Sequence, residues 1–136
     1  MKGGSVRVAR RVFAIAGIYG LIVLLPLYFA EPLLAARAPV NHPEYFYGFI
    51  GAASVFQLVY LTIARDPVRF RPLMPLAVLA KLNFFVAVVI LVALGRTNIW
   101  AMALVSVDLL LGLAFAFVWL RLAAEPGIDR GDFPAR

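Results

Sequence analysis

PLMPLAVLAKLNFFVAVVILVALGRTNIWAMALVSVDLLLGLAFAFVWL, residues 72–120, decides the fold of this chain. It holds two apolar runs on either side of Gly95-Arg96-Thr97-Asn98, and its charged residues are Lys81, Arg96 and Asp108. A helix crossing the hydrocarbon of a bilayer needs about 20 predominantly apolar residues, and each run is that long. The apolar residues surround each helix and form no single stripe, as lipid requires and as a soluble surface helix does not show.

Working outward, residues 12–30 and 45–64 are also free of charge. The chain of 136 residues is 64% hydrophobic and has a mean hydropathy of +0.94, where a soluble domain carries roughly 45–50% apolar residues. An ordinary soluble domain is excluded. The expected fold is all-α, a polytopic membrane protein with spans at about 12–30, 45–64, 73–94 and 99–120. Short links force each helix back beside the last, so residues 1–122 should form one antiparallel four-helix bundle. Residues 123–136, with Glu125-Pro126-Gly127 and Asp129-Arg130-Gly131-Asp132, have no apolar period and should form a flexible cytoplasmic tail.

The punctuation agrees with these spans. Pro32, Pro39 and Pro43 break the first link, and Pro67, Pro72 and Pro75 the second. Pro72 suits the first turn of helix three, where its missing N–H costs nothing. Pro26 falls inside helix one and is expected to kink it. A basic start, an apolar run and Ala36-Arg37-Ala38 resemble a cleaved signal peptide, but the run outlasts the roughly 7–15 residues of a signal core. Pro39 is also a poor neighbour for cleavage, so the first helix should be retained.

Charge sets the expected orientation. Lys2, Arg7, Arg10 and Arg11 precede helix one, Arg65, Arg69 and Arg71 lie in the second link, and Arg121, Arg130 and Arg136 follow helix four. Only Arg37 and Arg96 lie on the other side, so the positive-inside rule places both termini in the cytoplasm. Arg65, Arg69 and Arg71 read as contacts to lipid headgroups. Tyr45, Phe46, Tyr47, Trp100 and Trp119 sit at span ends, where amphipathic rings prefer the interface. The net charge of +6 and pI near 10.3 come from residues scattered over helix ends, with no contiguous patch for nucleic acid.

An ionisable side chain costs at least about 2.5–3.5 kcal/mol at the centre of a span, so Asp108 and Lys81 are the leading candidates for function. Asp108 shares a face with Ala101, Val105, Gly112 and Ala116, small residues that favour close helix contact, and should face the bundle interior. It could be a proton or cation site, or a carboxyl that ties helices together. Lys81 could extend its stem to the headgroups or pair with Asp108. A hairpin about Arg96-Thr97 sets residue 81 opposite residue 112, one turn from Asp108, and the tilt of the Cα–Cβ bonds stretches that pair further. Tyr47, Gly51, Ser54 and Gln57 form a milder polar stripe on helix two, with Ser54 and Gln57 expected to hydrogen-bond between helices. Gly17, Gly20, Gly48 and Gly51 should permit close packing. Asn83 lies about 200° round its helix from Lys81, so the two should not share a pocket.

Several chemistries lack their residues. No cysteine is present, and the single histidine, His42, cannot supply paired haem ligands, so no metal or other cofactor is expected. Nucleotide-binding and nucleophile-elbow motifs do not occur.

Phe46-Tyr47-Gly48-Phe49-Ile50-Gly51, Gln57, the run Arg65-Asp66-Pro67-Val68-Arg69-Phe70-Arg71-Pro72-Leu73-Met74, and Gly95-Arg96 together cover about half the chain. These stretches resemble small bacterial four-helix membrane proteins of poorly defined function, broadly DoxX-like. The resemblance implies a four-helix membrane fold and carries no catalytic role onto any residue. Read from its residues alone, Asp66-Pro67 is a turn or a short helix start.

Three functions are consistent with these features. The first is a non-enzymatic accessory or interaction protein of the membrane, with the bilayer and a homo-oligomer or membrane protein as its partners. The second is a small proton-coupled transporter with Asp108 as the coupling carboxylate. It would match small multidrug transporters in length and helix count, but those carry their essential acid in the first helix, and residues 12–30 hold none. The third, a lipid-modifying enzyme using Asp108 and Lys81 as acid and base, lacks other converging polar groups.

Overall fold

The computed structural model describes residues 2–35 and 41–124. All of its elements are helical: α1 (Lys2–Leu24), a 3-10 helix (Leu25–Phe29), α2 (Glu31–Ala35), α3 (Pro43–Arg65), a second 3-10 helix (Arg71–Leu73), α4 (Met74–Ala93) and α5 (Trp100–Ala123). Four stretches are long and apolar enough to cross a membrane: Gly3–Phe29, Pro43–Arg65, Arg71–Ala93 and Trp100–Ala123. The expected tail and the Ala36-Arg37-Ala38-Pro39 segment lie, but for Ala123 and Ala124, outside the described residues.

The helix ends differ from the expected spans for local reasons. α1 begins at Lys2, well before residue 12, because arginine ends an apolar run without ending a helix, being among the better helix formers. It packs against the core from Val6 onward, and Ala9 is fully buried. At the far end α1 gives way to a 3-10 helix at Leu25, with Pro26 in its first turn. The proline ring removes one α-helical hydrogen bond and crowds the carbonyl four residues back, so the tighter turn replaces a simple kink. α2 was not anticipated within the first link; Glu31 and Pro32 open it, an acid and a proline in a first turn.

Two turns are specified residue by residue. Gly95 takes φ +65° after α4, its N–H donates to the Val92 carbonyl at 2.9 Å and that of Arg96 to Leu91 at 2.8 Å. This is a Schellman stop, which glycine allows because it has no Cβ to oppose a left-handed residue. Asn98 Oδ1 then accepts the Trp100 N–H at 3.0 Å at the start of α5. In the second link Asp66 Oδ1 accepts the Arg69 N–H at 3.1 Å and caps the turn Pro67–Phe70.

α1 and α3 pack as one close hairpin and α4 and α5 as another, joined mainly through α1 against α5. Here the expectation that each helix lies beside its sequence neighbour needs correction, since α3 and α4, joined by the second link, touch far less than either hairpin pair. The turns between Asp66 and Leu73 span the gap that a tighter link would close. The shared core lies in the half where α1 and α4 begin and α3 and α5 end. It comprises Ala9, Phe13 and Ala16 of α1, Tyr60, Ile63 and Ala64 of α3, Met74 and Ala77 of α4, and Phe115, Val118 and Leu122 of α5. Phe13 stacks on Phe115 with centroids 4.2 Å apart, and Tyr60 meets Phe115 edge-on at 5.0 Å. Outside this core the helices present bare aliphatic side chains, among them Ile22 at 67% exposure and Leu110 at 66%, as a surface solvated by acyl chains requires.

Candidate functional site

Lys81 and Asp108 meet. Lys81 Nζ donates to Asp108 Oδ1, and the two side chains are 13% and 20% exposed. The lysine therefore does not reach for the headgroups. Register is as the hairpin predicts: a methyl group on Gly112 would lie 3.2 Å from Lys81 Cβ and 3.6 Å from Leu82 Cδ2, so Gly112 is where α4 bears on α5. From that point the lysine stem runs one turn along α5 to the carboxylate, against the tilt of its own Cα–Cβ bond. Its four carbons span the 5.4 Å of a helical turn, so the offset that would separate two short side chains is bridged.

A third helix closes the site. Lys81 Nζ lies 5.7 Å from the centroid of the Tyr60 ring on α3, a side chain 1% exposed. The ammonium thus has a carboxylate on one side and the negative face of an aromatic ring on another, both of which favour its charge in a medium of low dielectric. Tyr60 escaped the sequence reading because tyrosine is neutral and common in spans. It lies about one turn inside the Arg65 end of α3, close to where interfacial tyrosines are expected, so no sequence signal marks it.

Gln57 faces elsewhere. It is 3% exposed, its Nε2 donates to the Ala53 carbonyl at 3.0 Å in its own helix, and its Oε1 has no hydrogen-bond partner. The side chain lies over Gly20 of α1, where an added methyl would come within 2.8 Å of Gln57 Cγ, and the Gln57 backbone carbonyl is equally close to Gly17. Gln57 seats α1 on α3 by shape, and the expected interhelical hydrogen bond is replaced by this contact. Ser54 Oγ is likewise buried without a partner. Gly17 and Gly20 serve close packing as expected, whereas Gly48 has open space beside it and a methyl on Gly51 would meet only the Tyr28 hydroxyl, at 3.3 Å. Asn83 is exposed, on the side of α4 away from Lys81.

A second polar contact sits at the opposite end of the first hairpin. The Tyr47 hydroxyl donates to Glu31 Oε2, and Tyr28 stacks beside Tyr47 with centroids 6.0 Å apart. Tyr47 belongs to the polar stripe read from sequence, but Glu31 lay in what looked like a plain link. Nearby, His42 Nδ1 is 3.0 Å from Glu44 Oε1. No group of three or more potential metal ligands occurs among the described residues.

The basic residues gather at the other end. Arg65 ends α3, Arg69 lies 5.4 Å over the Phe70 ring, and Arg71 is half-buried in the second 3-10 turn. Arg10 reaches across from α1, with Nη2 3.3 Å from the Arg65 carbonyl. Sequence alone placed Arg10 with the other flanking cations and gave no sign that it meets Arg65.

The chain matches no family model, no curated protein and no solved structure.

Proposed function

We propose that this chain is a non-enzymatic integral protein of the bacterial inner membrane, with both termini cytoplasmic, that acts as an accessory or interaction partner through its helix surfaces. The state of Asp108 carries this reading. The acid that could couple protons or act in catalysis is held by Lys81, beside Tyr60, in a contact that fastens α4 to α5 and α3. Losing either partner would leave the other charge buried and unpaired, which supports a role for the pair in keeping these helices in register. The basic flanks support the orientation, and the DoxX-like resemblance of residues 46–51, Gln57, 65–74 and Gly95-Arg96 supports the same fold while adding no activity.

The second reading, a proton-coupled carrier, draws on the same pair, because a lysine and an aspartate within a bundle are groups that exchange protons. Reconstitution in liposomes enclosing a pH-sensitive dye separates the two. An accessory protein passes no protons beyond those of empty liposomes, in the parent and in Asp108→Asn alike. Proton flux in the parent that Asp108→Asn abolishes would establish the carrier and discard the accessory role.

A further inference from the structure

Arg10 and Arg65 stand on either side of a cleft between α1 and α3. The cleft has a volume of about 430 Å³ and is lined by these two arginines with Ala14, Leu61 and Ala64. Neither arginine faces a carboxylate among the described residues. Asp108 is taken by Lys81, Glu31 by Tyr47, Glu44 by His42, and Asp66 by the Arg69 N–H. Arg10 spends one donor on the Arg65 carbonyl, in the last turn of α3, where carbonyls lack helical partners. That bond holds its guanidinium over the cleft and leaves its other donors open.

The lining is mainly apolar. Leu61 also rests against Gly17, where an added methyl would come within 2.8 Å of Leu61 Cγ, so its place beside the cleft is fixed by packing. Ala14 and Ala64 have no bulk with which to fill it. The Arg10 guanidinium, tied to the end of α3 beside a mainly apolar cleft that Arg65 also lines, matches a phosphate ester that carries an acyl chain. Guanidinium groups bind phosphate oxygens through paired N–H donors, while the slot takes methylenes that would otherwise remain among the bulk lipid.

We propose that the cleft between α1 and α3 binds one anionic phospholipid, its phosphate held by Arg10 and Arg65 and part of an acyl chain seated on Ala14, Leu61 and Ala64. The site differs from general attraction to a basic surface in being local. Arg11, adjacent in sequence and exposed, does not line the cleft.

The purified full chain in a neutral detergent is titrated with short-chain phosphatidylglycerol, with the matching phosphatidylcholine and with inorganic phosphate. Native mass spectrometry counts the bound molecules and thermal unfolding reads the stabilisation. Phosphatidylglycerol should add one molecule per chain and raise the melting temperature, while phosphatidylcholine and free phosphate at the same concentration do neither. Arg10→Gln and Arg65→Gln should each weaken phosphatidylglycerol binding about fivefold, the share of one basic residue at an anionic surface. Arg11→Gln should leave binding unchanged, and Ala14→Leu, which keeps every charge and fills the slot, should weaken it. Equal loss with Arg11→Gln, equal binding of the two lipids by the parent, or full stabilisation by inorganic phosphate would each overturn the proposal. The first two would reduce it to unspecific adsorption and the third to a site for a free anion.

Discussion

A lone ammonium or carboxylate in hydrocarbon is costly, and the two here relieve each other across the close approach of α4 to α5 at Gly112. A methyl at 112 would press within 3.2 Å of Lys81 Cβ, so the start of the lysine stem would have to give by a few tenths of an ångström. Removing one partner leaves the other charge buried, so Lys81→Met and Asp108→Asn should each lower stability by about 3–5 kcal/mol. The double variant Lys81→Met with Asp108→Leu should recover most of that loss. Loss of helical circular dichroism along a denaturing-detergent titration measures all three. Gln57 and Gly20 form a second interlock, one of shape. Gly20→Leu should cost about 1–3 kcal/mol by overpacking, and adding Gln57→Ala should return part of it, as the same titration would show. Asp108 was conspicuous in sequence, being the one acid in its span. Its partner was less so, since whether Lys81 turns toward the headgroups or toward α5 depends on a register that one helical turn changes.

At the level of elements, each terminus obeys a local rule, and most were legible. Gly95 stops α4 in a left-handed turn, and Gly95→Ala should cost about 1 kcal/mol through the Cβ penalty of that conformation, with little change in helix content. A thermal melt in detergent would show the shift. Pro26 was expected to bend helix one and instead converts its last residues to a 3-10 helix. A proline inside a helix removes a hydrogen bond, and the segment that follows Pro26 packs through Tyr28 against Tyr47 of α3. The early start of α1 at Lys2 is not legible from charge, because an arginine marks the limit of an apolar run without ending a helix.

The whole molecule is two hairpins leaning together through α1 and α5, with a shared core concentrated at one end. That end also carries Arg7, Arg10, Arg65, Arg69, Arg71 and Arg121, so packing and charge asymmetry coincide. Because the chain lacks cysteine, single cysteines can report its orientation. A membrane-impermeant maleimide added to intact cells should label Thr97→Cys, and should label Gly4→Cys only after the membrane is opened; the reverse pattern would invert the topology. The four apolar spans, their charged ends and the stop at Gly95 were determined by sequence alone, because transfer energy acts on each residue and a turn acts through its own backbone. Which helices touch was decided only in the tertiary structure. So were the direction of Lys81, the part of Tyr60 beside it and the meeting of Arg10 with Arg65. A helix that is apolar all round has no polar face to mark its outside, so lipid and protein compete for every side on equal terms. Shape then settles the contacts, through the gaps at Gly20 and Gly112 and the rings of Phe13 and Phe115.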